Sequence, residues 1–143
     1  MTCEIYYFSG NGHSLFAARE MAEKLGAECI PMLSRIQEAE INIEADVIGL
    51  AFPIYHATFG ESGLPNLVAV FVDKLRNLHG KYIFAIGTHS GFPGLTMEKL
   101  NHRLTGLGGE LSAGFTVLLN VPYTPLEKMR HAFFKKPLRI DPE

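Results

Sequence analysis

Apolar residues follow two different periods along this chain. From Cys3 to Phe8 they run almost unbroken, with β-branched and aromatic types, into the turn-forming Ser9-Gly10-Asn11-Gly12. From His13 to Leu25 the apolar positions Leu15, Ala18, Ala22 and Leu25 recur at helical spacing with Met21 beside them, and Gly26 is placed to end the helix in a left-handed turn. The pattern predicts a buried strand, a tight loop and a helix. The same alternation continues with strands expected over Glu28 to Pro31, Ala45 to Phe52, Lys81 to Thr88 and Leu111 to Leu119. Further helices are expected over Leu64 to Leu78, with Pro65 as second residue, and over Leu95 to Leu107, ended by Gly108 or Gly109. Ser34 to Asn42 reads as an irregular connection or a short helix, and Thr124 to Lys136 as a short or atypical last helix.

Strands such as Val47-Ile48-Gly49-Leu50-Ala51-Phe52 are apolar throughout. They therefore belong to a parallel sheet covered on both faces, an open doubly wound α/β fold in three layers. In such a sheet the ligand site lies at the carboxyl ends of the strands, where the strand order reverses. A chain of 143 residues, 47% hydrophobic and 20% charged, suits a single domain over residues 1–143.

Charge and cysteine usage narrow the function. Thirteen Lys and Arg against 15 Asp and Glu give a net charge of −2 and no broad basic surface, so neither nucleic acid nor an anionic membrane is expected as partner. The one basic cluster, Lys128, Arg130, His131, Lys135 and Lys136, reads as a solvated helix face. No apolar run approaches the roughly 18 residues of a membrane span, and no basic start or cleavage site marks the N-terminus, so the expected location is cytoplasmic. Cys3 and Cys29 form no CxxC pair and no metal-ligand spacing; they read as reduced, buried small hydrophobes, with no metal site.

Three segments fall at the carboxyl edge. In Ser9 to Ser14, two glycines let successive N–H groups point into one concavity, Ser9, Asn11 and Ser14 add side-chain donors, and the following helix aims its N-terminus at the same spot. The loop has no Lys or Arg and neither the triphosphate-loop spacing nor G-x-G-x-x-G, so a neutral nest for a phosphate monoester such as that of FMN fits it. A strand-to-helix turn capped by Ser or Asn accounts for the same residues without a ligand. The segments Pro53-Ile54-Tyr55-His56-Ala57-Thr58-Phe59-Gly60 and Thr88-His89-Ser90-Gly91-Phe92-Pro93-Gly94 combine aromatic or imidazole rings with glycine, which a planar isoalloxazine would use for stacking and for bonds to its pyrimidine edge. Taken singly, Tyr55 also reads as a loop aromatic closing the core, and His56 and His89 as solvated loop histidines.

Ile5 to Ser14 resembles the phosphate loop of the flavodoxin family, Ser/Thr-x-Thr-Gly-Asn-Ser/Thr, with Asn11 and His13 in place of the usual threonine and asparagine. Phe52-Pro53-Ile54-Tyr55 with Gly63-Leu64-Pro65-Asn66 is similar to its ring-stacking region, and Gly108 to Phe115 to the stretch that forms its fifth strand. Within the family, the likeness is to the flavodoxin-like domain that some anaerobic bacteria and archaea fuse ahead of a 4Fe-4S ferredoxin module. The resemblance covers Ile5 to about Tyr123. It implies a flavodoxin-like sheet of order 2-1-3-4-5, a non-covalently bound FMN cycling through its three redox states, and a redox partner protein such as a ferredoxin-type iron-sulfur module. By the same resemblance, Ser9, Gly10, Asn11, Gly12, His13 and Ser14 hold the phosphate, Pro53, Tyr55 and His56 flank one side of the ring, and Thr88, His89, Ser90 and Gly91 flank the other. It implies no residue with a catalytic role of its own.

Other readings stay open. The domain fits an FMN-dependent reductase of a small acceptor such as a quinone, or a degenerate, flavin-free flavodoxin fold that docks a partner. The Cys29 to Arg35 spacing is that of a cysteine phosphatase, but Ile30-Pro31-Met32-Leu33 supplies none of the glycine-rich nest that chemistry requires.

Overall fold

The computed structural model describes residues 1–55, 62–119 and 131–134. Strand β1 (Cys3–Tyr7) leads through the first loop into α1 (His13–Leu25) and β2 (Glu28–Pro31), followed by a single 3₁₀ turn (Met32–Ser34) and a short β3 (Ile41–Asn42). Next come β4 (Val47–Pro53), α2 (Asn66–Asp73), a short β5 (Leu75–Arg76), β6 (Tyr82–His89), α3 (Thr96–Thr105), β7 (Leu111–Leu118) and β8 (His131–Phe134). The main sheet runs β2-β1-β4-β6-β7-β8, its first five strands parallel. With β3 and β5 set aside, those five strands stand in the expected order 2-1-3-4-5. The order reverses between β1 and β4, and the loops that leave those two strands and β6 share the carboxyl edge.

Two apolar clusters make three layers. On one face α1 presents Ala17, Ala18 and Ala22 to Ile5, Val47, Ala51, Phe84 and Ile86, the small side chains letting helix and sheet approach closely. On the other face Val68, Phe71 and Val72 of α2 and Met97, Leu100 and Leu104 of α3 pack on Tyr6, Ile48, Leu50, Phe52 and Ala85. Six consecutive buried residues of β4, Val47 to Phe52, follow directly from its central place between β1 and β6.

Two elements differ from the sequence expectation. The helix expected over Leu64 to Leu78 starts after Pro65 and stops at Asp73. Past that point the backbone is claimed by a parallel ladder with β3, in which the Ile41 N–H donates to the Lys74 carbonyl at 2.8 Å and the Ile43 N–H to the Arg76 carbonyl at 3.1 Å. Asn77 then turns at φ 67° while its Nδ2 donates to the Ile43 carbonyl, and Leu75 and Leu78 remain in the core. Apolar spacing alone does not separate that arrangement from a longer helix.

The second difference lies where a short or atypical last helix was expected. Residues 131–134 form a strand antiparallel to β7, with Thr116 opposite His131 and Ala113 opposite Phe134. Pairing there satisfies N–H and C=O groups that β7 would otherwise present at an open sheet edge. The rest of that segment, including Lys128, Arg130, Lys135 and Lys136, lies outside the described residues.

Candidate functional site

The first loop is shaped by its own side chains. Ser9 Oγ accepts the Gly12 N–H at 2.9 Å and Asn11 Oδ1 the His13 N–H at 3.3 Å, which curls the segment back on itself. Gly12 sits at φ 94°, ψ −13°, and a Cβ there would meet nothing within 4 Å; glycine is required by the conformation, not by the space. The Gly12 carbonyl accepts the Phe16 N–H at 2.9 Å and so starts α1, and among the described residues the Asn11 bond to His13 is the only one that a side chain makes to an amide of its first turn. Its first turn keeps donors without intrahelical acceptors, aimed across exposed Gly10, Asn11, Gly12 and His13. The loop holds no Lys or Arg.

Ser14 and Thr88 are placed differently from the other predicted contacts. Ser14 is 1% exposed and Thr88 2%, and their hydroxyl oxygens lie 3.0 Å apart. Both side chains point inward from the edge, so of Ser14 only the backbone amide is left for the first loop, and Thr88 stands behind the third loop.

The second loop begins where Pro53 pairs with Thr88 and the Ile54 N–H donates to the Thr88 carbonyl at 2.7 Å. Tyr55 is half exposed, and its hydroxyl lies 3.6 Å from where a side chain on Gly10 would begin, so the phenol stands over the first loop. The other end of the second loop is fastened through Thr96 and Ser62, which no motif marked. The Tyr55 N–H donates to the Gly63 carbonyl at 2.9 Å, the Gly63 N–H to buried Thr96 Oγ1 at 3.0 Å, and the Thr96 hydroxyl to the Pro93 carbonyl at 2.6 Å. Ser62 bridges Gly94. His56 lies outside the described residues.

In the third loop Ser90 and Gly91 are exposed, whereas His89 is 8% exposed and its Nδ1 has no hydrogen-bond partner among the described residues. Burial pushes the His89 pKa below the ordinary histidine value, which keeps the ring neutral at pH 7. The His89 carbonyl accepts the Leu119 N–H at 2.7 Å, tying the loop to the end of β7.

Away from this edge, the Cys29–Arg35 pair does not form a nucleophile. Burial pushes the Cys29 thiol up, and the Arg35 guanidinium is spent on a two-pronged pair with Glu38 at 2.7 and 3.0 Å and on the Tyr6 hydroxyl at 3.0 Å. Among the described residues no cluster of His, Cys, Asp and Glu could hold a metal ion, and no helix is long and apolar enough to cross a membrane.

No protein-family model matches the chain, and no curated protein matches it in sequence. Solved structures do. The two-electron reduced flavodoxin of Megasphaera elsdenii superposes with a TM-score of 0.63 at 22% identity, over 82% of this chain and 85% of that one. Oxidised flavodoxin 2 of Bacillus cereus gives 0.59 at 22%, over 83% and 85%. The Trp repressor binding protein of Bacillus subtilis gives 0.58 at 19%, over 82% of each chain. The fold is flavodoxin-like.

Proposed function

We propose that this chain binds FMN at the carboxyl edge of its sheet and passes electrons to a redox partner protein. The observation that carries the reading is the first loop: a left-handed Gly12 opening a helix whose Ser14 and Leu15 amides meet no side-chain acceptor among the described residues, with Ser9 and Asn11 beside it and no Lys or Arg, at the reversal of strand order. That donor set fits a single terminal phosphate group, since backbone N–H groups and hydroxyls spread over one concavity match its oxygens without a metal. The flavodoxins and flavoproteins among the structural neighbours support the same cofactor class.

FMN, when bound, supplies one- and two-electron chemistry. The chain's residues would hold and orient it. Ser9, Gly10, Asn11, Gly12 and His13 would take the phosphate with the amide of Ser14, and half-exposed Tyr55 would offer a ring face on the side of Pro53. On the other side stand exposed Ser90 and Gly91 and the neutral imidazole of His89, whose buried Nδ1 has no partner among the described residues and is a polar group for a ligand to satisfy. An iron-sulfur protein of ferredoxin type suits the partner's role, and two unpaired cysteines suit a reducing, cytoplasmic compartment.

The test is a fluorescence titration of the cofactor-stripped protein with FMN and with riboflavin. FMN is expected to bind at least about tenfold more tightly, because hydrogen bonds to a charged phosphate are worth ~1.5–3 kcal/mol each. Equal affinities would remove the phosphate loop from the reading, and binding of neither would remove the flavin.

A further inference from the structure

The Ser14–Thr88 hydroxyl pair joins the helix that opens the first loop to the strand that opens the third, across 74 residues of sequence. Ser14 carries both ends of that link in one residue. Its amide belongs to the first turn of α1, among the donors left without intrahelical acceptors, and its hydroxyl is buried on Thr88. Thr88 is itself a junction: its carbonyl accepts the Ile54 N–H of the second loop, and the carbonyl of the next residue, His89, accepts the Leu119 N–H.

We propose that Ser14 and Thr88 are positioning residues that couple occupancy of the first loop by a phosphate group to the conformation of the third loop, Thr88 to Gly91. The inference rests on the reading of Ser9 to Ser14 as a phosphate loop. Between two hydroxyls only one proton lies on the shared line, so the pair has two directions, Ser14 donating to Thr88 or the reverse. An anion drawing on the first turn of α1 moves Ser14. A buried hydroxyl cannot let its partner go without being left unsatisfied, so Thr88 follows, carrying the Ile54 amide and the start of the third loop.

The experiment is nitrogen-15 NMR of the full chain titrated with inorganic phosphate, which fills the first loop without touching a ring site. In the wild type, amide signals of Gly10 to Leu15 and of Thr88 to Gly91 are expected to shift with one midpoint. In Thr88→Val the first set still shifts, the second stays still, and phosphate binds roughly two- to tenfold more weakly, the worth of one hydrogen bond. Thr88→Ser restores the joint response. Ser14→Ala reproduces the uncoupling, and the double variant loses no more than either single one. Movement in the first loop while Thr88 to Gly91 stay fixed in the wild type, or a joint response that survives both Thr88→Val and Ser14→Ala, overturns the coupling alone. No response to phosphate in either loop overturns the phosphate-loop reading, and the coupling with it.

Discussion

A methyl group added at Gly63 tests how the second loop is held. Its Cβ would begin 2.2 Å from the Tyr55 carbonyl oxygen, 2.7 Å from Ile54 Cγ2 and 3.1 Å from the Tyr55 carbonyl carbon, where ordinary contact starts near 3.4 Å. Ile54 could rotate, but the carbonyl belongs to the backbone, so the two segments must part by more than an ångström. That displacement breaks the 2.9 Å bond from the Tyr55 N–H to the Gly63 carbonyl and strains the buried 3.0 Å bond from Gly63 to Thr96. One lost hydrogen bond at ~0.5–1.5 kcal/mol plus overpacking at ~1–3 kcal/mol puts Gly63→Ala about 2–4 kcal/mol below the wild type. For a chain of this length that is about 6–12 °C in melting temperature. Thermal unfolding followed by circular dichroism reads it directly, with Gly91→Ala as control because a Cβ there meets nothing within 4 Å. Tyr55 moves with the break, so FMN affinity should fall in Gly63→Ala as well, while Gly91→Ala serves as control for stability alone. A melting temperature for Gly63→Ala within about 2 °C of the wild type would refute the claim that backbone crowding fixes this turn.

The folded His89 pKa lies below the unfolded one of about 6.5, so the unfolded chain binds the proton first as pH falls. The stability this gives is complete above pH 6.5 and is lost as pH drops through the lowered folded value; between pH 6.5 and 5 the melting temperature should decline more steeply in the wild type than in His89→Asn. Burial, with Glu4 adding to it, pushes the Cys3 thiol up to about 11, leaving about one thiolate in a thousand at pH 8. Iodoacetamide should therefore label the native protein far more slowly than the urea-unfolded chain, and equal rates would contradict the burial. Gly12→Ala should lose roughly 1–2 kcal/mol in urea titration, the cost of a side chain in left-handed backbone, while Gly10→Ala, 3.6 Å from the Tyr55 hydroxyl, should lose little.

The parts of the fold legible in the sequence are those where a single local signal decides. The run of Leu15, Ala18, Ala22 and Leu25 closed by Gly26 placed α1 over His13–Leu25, and Gly26 adopts the left-handed φ of 63° that such a stop requires. The apolar block from Val47 to Phe52 marked the central strand for the same reason: burial on both faces leaves no polar alternation. What stayed hidden depends on pairs far apart in sequence. Leu75 and Leu78 keep helical spacing after Leu67 and Phe71, so nothing local shows that β3, more than 30 residues earlier, claims that backbone. At the site, glycines and hydroxyls announced the first loop. That the Ser14 and Thr88 hydroxyls turn to each other, and that Thr96 fastens Gly63, follows only from the packing of α1 and α3 on β6. Ser62-Gly63 and Thr96 carried one usable hint, a glycine just ahead of a proline-led helix start.

The first loop also bears on the choice between a ligand site and a plain strand-to-helix turn. An N-cap is ordinarily extended and supplies a side-chain oxygen to an amide of the first turn. Gly12 does neither: it is left-handed and has no side chain, so Asn11, one residue earlier, supplies the oxygen to the His13 amide, while Ser9 bonds the Gly12 amide. These bonds bend the loop into a concavity, and among the described residues no side chain bonds the amides of Ser14 and Leu15, which the side chain of an ordinary N-cap would reach. A degenerate fold that merely docks a partner gains nothing from that arrangement, since a left-handed residue and a first turn bonded by a side chain at His13 alone both weaken the free protein. Local preferences set aside together, where the strand order of the main sheet reverses, support the proposed phosphate loop over a plain turn. On the proposed reading, a loop without Lys or Arg suits one phosphate group, whereas a triphosphate loop of the Walker type relies on its lysine.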